Sequence, residues 1–294
     1  MKKLIGVGVI LLFMLELSGC GSLSFLQSGS STQSSRPVES AQGSAAASSE
    51  NAENSSSSVQ SQSDSSDPSV SSAVTALQTQ QEVLQQTKAV LSTKVPLKLP
   101  ESVPVAKGEC LTSAAVSQSW YYKASFYGTE QPAAVNSKDA SKGKLIAAVE
   151  GTEYKNANSA KENINGYTQV DLSVANKDAL VDLGHNIKAV EDAGCGHGYL
   201  SWNEGRWCVN VDSPNDPTYQ NKTYPDSKKL AKNIVAYLDD HMLPVPEKIG
   251  LIAVNNWNNN MGAIISWQDN QMVYQVTSQD PMTALQVAVA MKSE

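Results

Sequence analysis

One histidine in this sequence has acidic side chains close enough along the chain to form an acid–base pair. His197 lies in the glycine-flanked segment "CGHGYLSW", with Asp192 before it and Glu204 after it. An imidazole that hydrogen-bonds to a carboxylate can act as a general base in hydrolysis. However, no serine lies in a nucleophile elbow, and no cysteine has the local pattern of a catalytic thiol. The sequence therefore offers an envelope hydrolase centred on His197 only as an alternative, and it identifies no catalytic residue.

The neighbouring segment "YLSWNEGRWCVNV" could be a reactive site or a turn. Aromatic and β-branched runs on both sides of "NEGR" predict a β-hairpin with Glu204–Gly205 as its two-residue turn. This register makes Trp202 face Trp207 and places Arg206 beside the hairpin tip. The predicted apolar face comprises Leu200, Trp202, Trp207, Val209 and Val211. A similar segment, "SWQDNQMVYQV", begins at Ser266, so a repeated structural unit explains the motif better than catalysis does.

Two polar loops contain further candidate residues. The segment "NNWNNNMG" predicts a long hairpin loop, in which Trp257 could stack on a sugar or on a partner protein. Residues 212–226 carry many oxygen ligands but lack the glycine and glutamate of a calcium loop, so they predict a solvated loop. His185 is expected in a loop, and His241 is expected to interact with the last carbonyls of a helix. Trp257 and Arg206 are therefore the predicted binding residues.

The first twenty residues predict export and a lipid anchor. Two lysines precede an apolar run over residues 4–17, which is interrupted only by Glu16. This run is shorter than the roughly 20 apolar residues that a membrane-spanning helix needs, and it is typical of a signal peptide. "LSGC" at residues 17–20 resembles the bacterial lipobox, in which the cysteine receives a diacylglycerol and the leader is removed just before it. The resemblance implies a lipoprotein signal peptide at residues 1–19 and lipidation of Cys20, including attachment of fatty acids such as palmitate. Acyl chains there would hold the protein on the outer face of the cell membrane.

A tether and a short helix are predicted between the anchor and the folded domain. Residues 20–72 are dominated by Ser, Gln, Ala and Asn, a composition that predicts a disordered linker with a reach of about 40 Å. Such long Ser-rich tethers resemble those of Gram-positive lipoproteins. Apolar residues at helical spacing then predict a stalk helix over residues 73–94. An α+β globular domain is expected over residues 96–294.

The charge balance limits the kinds of partner. The formal net charge is −7, and the leader carries +1, so the remainder is near −8. An acidic chain is a poor candidate for nucleic-acid binding, and it has no electrostatic attraction to anionic lipid or wall polymer. Beyond the leader, the only adjacent basic pair is Lys228–Lys229.

The cysteines permit one disulfide at most once Cys20 is lipidated. Cys110, Cys195 and Cys208 then remain, and thiols outside the membrane tend to pair. A Cys195–Cys208 bridge would close the shortest loop, although the sequence alone does not choose among the three pairings. "CGHG" together with Cys208 does not fit the ligand spacing of a zinc site, so no metal and no cofactor are predicted.

The remaining sequence predicts the elements that position these residues. Residues 186–241 and 247–292 each give the order strand, strand, strand, helix, with Asp226 or Ser227 capping the first helix and Asp280 capping the second. Upstream, "SWYYKASFYGT", "GKLIAAVEGTEY" and the helical "NANSAKENING" predict a shorter version. The predicted fold is α+β, with antiparallel β-meanders, helices packed on one face, and a strand-strand-strand-helix quasi-repeat.

The domain also resembles a known group of proteins. The segments "WNEGRW", "LAKNIVAYLDDHMLPVP", "MVYQVTSQDP" and "ALQVAVAMK" are similar to uncharacterised lipoproteins of spore-forming Firmicutes, over most of residues 96–294. This resemblance implies an exported, anchored domain and transfers no activity. The sequence thus predicts a non-enzymatic binding or scaffold module of the cell envelope, whose partner is cell-wall polymer or another envelope protein.

Overall fold

The described part of the chain, residues 79–258 and 262–291 of a computed structural model, is built on one β-sheet of ten strands. The strands are β1 (Cys110–Gln118), β2 (Tyr121–Thr129), β3 (Lys144–Glu153), β4 (Leu180–Gly184), β5 (Ile187–Gly194), β6 (His197–Glu204), β7 (Trp207–Pro214), β8 (Gly250–Asn255), β9 (Gly262–Asp269) and β10 (Met272–Ser278). The helices of this part are α1 (Gln80–Val90), α2 (Ala157–Glu162), α3 (Ser227–Asp240) and α4 (Pro281–Val289), with 3₁₀ turns at Ala140–Lys142 and Lys177–Ala179. These residues belong to one unit, Ser69–Glu294.

The sheet combines three meanders in the order β1-β2-β3-β10-β9-β8-β7-β6-β5-β4. Its neighbouring strands are antiparallel, except that β7 and β8 run parallel. Parallel neighbours need a long crossover, and α3 lies in that connection. The fold is therefore a sheet-dominated mixture of helices and mostly antiparallel strands, which confirms the coarse prediction.

The helices begin at the capping residues that the sequence predicts. The Asp226 carboxylate accepts hydrogen bonds from the Lys228 and Lys229 backbone at the start of α3. Asp280 caps α4 in the same way, with Pro281 in the first helical turn. An N-cap side chain of this kind contributes about 1 kcal/mol.

The hairpin of β6 and β7 has a different register from the predicted one. Glu204 pairs with Trp207, so Gly205 and Arg206 form the turn, and Trp202 pairs with Val209 rather than with Trp207. Gly205 has a φ of 62°, a left-handed conformation that glycine adopts without steric cost. The pairing is shifted by two residues, so every side chain stays on its predicted face. The five residues predicted to form the apolar face are all buried in one cluster.

Two apolar clusters lie on opposite faces of the sheet. The larger cluster contains core residues from α1, α3 and α4, together with Trp207 and Val209 of β7. The smaller cluster contains Ala160 of α2 and Ile164 just after it, together with Cys208, which lies between those two β7 residues in the sequence. Side chains alternate between faces along a strand, so α2 packs against the opposite face. The prediction that all helices pack on one face is therefore not confirmed.

The predicted stalk helix packs against the sheet over the part that the structure describes. Helix α1 has a capping box formed by Thr79 and Glu82, and its Val83 and Thr87 are fully buried. The Thr87 hydroxyl lies 2.6 Å from the Ser113 hydroxyl of β1. Residues 73–78 of the predicted helix, the tether and Cys20 lie outside the described residues.

Candidate functional site

The parallel pair of β7 and β8 marks the place in this sheet where a site is most expected. In open sheets, ligands bind outside the carboxyl ends of parallel strands, where the connections diverge. At this edge, Asp212 and Ser213 lie just before Pro214, the last residue of β7, and β8 is followed by Asn256 and Trp257. His197 begins β6 and pairs with Pro214 of β7. Side chains from three strands therefore meet at this end.

His197 forms a close contact with a carboxylate at this edge. Its Nδ1 atom lies 2.7 Å from Oδ1 of Asp212, and both side chains are about one-quarter exposed or less. This contact fixes the orientation of the ring and leaves Nε2 as the nitrogen that can meet a ligand. The structure pairs His197 with Asp212 rather than with Asp192 or Glu204. Sequence reasoning missed Asp212 because it assigned this residue to the following polar loop, whereas Asp212 belongs to β7.

Two further aromatic rings pack around the imidazole. The Trp257 ring lies 4.6 Å from the His197 ring between centroids, and the Tyr199 ring lies 6.1 Å away and nearly parallel to it. Burial raises the pKa of the Tyr199 hydroxyl, and the negative charge of Asp212 adds to this effect. We call His197, Tyr199, Asp212 and Trp257 the aromatic cluster. Its flat rings and its carboxylate are suited to stacking on a ligand and accepting hydrogen bonds from it.

Trp257 is held by backbone contacts and is not a freely exposed loop residue. It forms a β-bridge with Gln220, and the next backbone N–H, from Asn258, donates to the Tyr219 carbonyl at 2.8 Å. The ring is half-buried, and its Nε1 atom is buried without a hydrogen-bond partner among the described residues.

A large cavity lies near the same end of the sheet. It has a volume of about 700 Å³ and lies between residues 104–109, the start of β3 and the first turn of α4. Asp280 lines it, but this carboxylate already caps α4 and accepts a hydrogen bond from the Tyr224 hydroxyl at 2.7 Å. Burial and the Asp280 contact raise the pKa of Tyr224. The cavity has the size of a ligand pocket, yet each oxygen of the Asp280 carboxylate already accepts a hydrogen bond from the protein.

Arg206 lies at the other end of β6 and β7, away from Trp257. Its Nη1 atom donates to the Pro246 carbonyl at 2.6 Å. Glu204 accepts a hydrogen bond from the Trp202 indole at 2.9 Å, and burial raises the pKa of this carboxyl. The eight residues of β6 separate the two ends by roughly 25 Å. The two predicted binding residues therefore do not form one site.

The structure does not bring Cys195 and Cys208 together. Cys195 is exposed in the turn before β6, whereas Cys208 is buried on β7 opposite Asn203, and both are free thiols, as is Cys110. Six strand steps separate these levels, roughly 20 Å, whereas a disulfide needs Cα atoms within about 7 Å. Cys208 Sγ instead donates to the Thr168 carbonyl, and burial raises the pKa of its thiol.

The other histidines have structural partners. His185 lies in the turn between β4 and β5 with a φ of 51°, and its Nδ1 atom lies 2.7 Å from the Asp239 carboxylate of α3. His241 follows α3, stacks on Tyr237, and contacts the Tyr237 carbonyl through Nδ1 at 2.9 Å. The second contact is the interaction with a terminal helix carbonyl that the sequence predicts.

Comparison with known proteins does not assign a function to the aromatic cluster. Comparison with family models, with curated proteins and with solved structures gives no match to this chain. Within residues 79–258 and 262–291, no group of three or more His, Cys, Asp or Glu side chains is arranged to hold a metal ion. The helices in those ranges are all too short or too polar to cross a membrane.

Proposed function

We propose that this protein is a lipid-anchored binding or scaffold module on the outer face of the cell membrane, and that the aromatic cluster is its ligand site. The observation that supports this proposal best is the arrangement of the Tyr199 and Trp257 rings around His197, with Asp212 beside them. Aromatic faces next to a carboxylate suit polymers that combine flat apolar faces with hydroxyl and amide groups. Cell-wall polymer is therefore the proposed ligand, and another envelope protein is the alternative partner.

Co-sedimentation with cell-wall sacculi tests the ligand. We expect the purified full-length chain carrying Cys20→Ser to pellet with intact sacculi at low and moderate salt. Trp257→Ala should weaken the binding about tenfold or more, which corresponds to about 1.4 kcal/mol. Trp120→Ala is the control, because Trp120 is an exposed tryptophan that lies in the turn between β1 and β2, away from the aromatic cluster. A chain that stays in the supernatant rules out a wall ligand, and crosslinking in cells would then identify the envelope partner.

The lipid anchor is proposed from the lipobox resemblance and has its own test. Cells that express the chain should incorporate labelled palmitate into it, and Cys20→Ser should abolish the label and release the protein from the membrane fraction. Cys195→Ser is the control, because Cys195 is an exposed cysteine of the folded domain. If the label persists in Cys20→Ser, the anchor assignment is wrong.

The second candidate function is a hydrolase of envelope material. The 2.7 Å contact between His197 and Asp212 favours it, because a carboxylate that orients an imidazole is the usual partner of a general base. In this reading His197 would take a proton through Nε2 while Asp212 holds the ring. Wild-type protein should then release soluble fragments from sacculi, and both Asp212→Asn and His197→Ala should abolish the release. Binding without any released fragment would exclude the hydrolase.

We also propose that β5–β6–β7–α3 and β8–β9–β10–α4 are two copies of one unit. Two features support this proposal: Asn270 occupies the position of Gly205 with a similar φ of 54°, and Trp267 matches Trp202 as a fully buried residue. The turns also have the same register, since Asp269 pairs with Met272 as Glu204 pairs with Trp207. The reciprocal substitutions Gly205→Asn and Asn270→Gly should change the free energy of unfolding by less than about 1 kcal/mol, because both positions have a positive φ that glycine and asparagine adopt readily. A larger loss would show that the turns are not equivalent.

A further inference from the structure

A second, smaller cavity lies on the helix-facing side of the same carboxyl ends. Its volume is about 110 Å³, and it is bounded by β6, β7 and the residues that lead into α3. Ser213 lies on this side because it continues the alternation of Val209 and Val211, which face the larger apolar cluster. The imidazole of His197 projects from the opposite face, because His197 precedes Gly198, the residue paired with Ser213. The lining residues of the cavity include Glu191, Gly198, Ser213, Gln220, Ser227 and Asn256.

Two of these residues carry buried polar atoms without partners. Ser213 is 8% exposed and Asn256 is 2% exposed. Neither the Ser213 Oγ atom nor the Asn256 Oδ1 atom has a hydrogen-bond partner among the described residues. The amide orientation of Asn256 is defined, because its Nδ2 atom donates to the Tyr224 carbonyl at 2.7 Å. Buried polar atoms in proteins are nearly always paired, so two orphan atoms in residues that line one cavity favour an occupant there.

The size of the cavity and the chemistry of these atoms define the occupant. Asn256 Oδ1 can only accept a hydrogen bond, and the Ser213 hydroxyl can donate or accept. One water molecule occupies about 30 Å³ in the liquid, so a cavity of about 110 Å³ holds about three. A sugar ring is too large. We propose that this cavity is a binding site for ordered water, and that at least two water molecules bridge Ser213 Oγ and Asn256 Oδ1.

The bound water connects the ends of the two parallel strands. Ser213 belongs to β7, whereas Asn256 follows β8 and donates its backbone N–H to the Asp212 carbonyl at 2.8 Å. The neighbours of these residues, Asp212 and Trp257, belong to the aromatic cluster on the other face. The water therefore fixes the backbone from which the cluster projects. This inference does not depend on the ligand or on the proposed function.

A crystal structure of the full-length chain carrying Cys20→Ser tests the proposal directly. At a resolution near 1.8 Å, we expect density for at least two water molecules within hydrogen-bonding distance of Ser213 Oγ or Asn256 Oδ1. An empty cavity overturns the proposal, and so does a rotation of either side chain onto a protein partner. Crystals soaked in thallium(I) should show no anomalous peak in the cavity. A peak there would replace the water site with a monovalent cation site.

Two variants of nearly the same shape test the proposal in solution. Oxygen-17 magnetic relaxation dispersion counts water molecules that remain bound longer than the protein takes to tumble. Ser213→Thr keeps the hydroxyl, and Ser213→Val has nearly the same shape without it. We expect the threonine variant to keep the long-lived water, and the valine variant to lose at least one such molecule. Equal counts in wild type and both variants would place the long-lived water elsewhere and overturn the proposal.

Discussion

The hydroxyl pair that joins α1 to the sheet offers the sharpest test of how the N-terminal helix is held. Thr87 and Ser113 are both fully buried, and their oxygens lie 2.6 Å apart. Thr87 also donates to the Val83 carbonyl at 2.7 Å, so Ser113 is the donor in the shared hydrogen bond. The two single substitutions therefore have different consequences, and a double-mutant cycle separates them.

The magnitudes follow from which group is left unpaired. Ser113→Ala removes one hydrogen bond while Thr87 keeps its bond to Val83, so the loss should be about 1 kcal/mol. Thr87→Val leaves the Ser113 hydroxyl buried without an acceptor, which costs about 1–3 kcal/mol. In the double variant this orphan is absent. The double variant should therefore be more stable than the sum of the single losses predicts, by about 1 kcal/mol or more.

Urea unfolding followed by tryptophan fluorescence measures this coupling. For a domain of this size, a change of 1 kcal/mol moves the midpoint by about 0.5 M. The control combines Thr87→Val with Ser278→Ala, because Ser278 donates to the Ile146 carbonyl and shares no partner with Thr87. Losses in this control should add. If the losses in the Thr87–Ser113 cycle also add, the two hydroxyls do not meet, and α1 is not packed on β1 as described.

Three further substitutions test the packing, the charge and the thiols of the domain. Gly250→Ala would place a Cβ atom 2.5 Å from the Trp207 ring. It should therefore lower the free energy of unfolding, measured by urea titration, by about 1–3 kcal/mol. An unchanged free energy would contradict this contact. Burial raises the pKa of Glu204, so the folded state favours the protonated carboxyl, and stability falls as pH rises from the ordinary glutamate range towards the raised value. Glu204→Gln should remove that decline in melting temperature, and a decline that persists would assign it to another group. In a protein carrying Cys20→Ser, Cys195 should react rapidly with a thiol reagent because it is exposed. Cys208 should react only on unfolding, because it is buried and burial raises the pKa of its thiol. Equal rates for the two cysteines in the folded protein would refute the burial of Cys208.

The sequence predicted the elements whose local signals are strong. The helices α3 and α4 begin at Asp226 and Asp280 because a carboxylate at an N-cap satisfies backbone donors in any context. The hairpin strands β6 and β7 were predicted because apolar residues alternate along them. The turn was misplaced because "NEGR" permits two registers, and the positive φ of Gly205 selects the one in which glycine comes first.

Elements with weak local signals were missed. The edge strands β1 and β4 were not predicted: β1 is rich in serine and alanine, and β4 has only five residues. The pairing of β7 with β8 could not be predicted, because a parallel pairing across a helix leaves no local sequence pattern. The contact of His197 with Asp212 depends on the hairpin register, so sequence proximity favoured the wrong carboxylates.

The strand order also determines when this domain can complete its fold. The strand β3 pairs with β10, so residues that lie more than 100 positions apart form the hydrogen bonds that join the first meander to the rest of the sheet. A chain made from its N-terminus at about 5–20 residues per second presents β3 many seconds before its partner exists. During that interval β3 is an unpaired sheet edge, which can pair with another chain. The first three strands therefore cannot join the rest of the sheet until β10 has been made. A chain truncated before β10 should give an aggregation-prone fragment instead of a smaller folded domain.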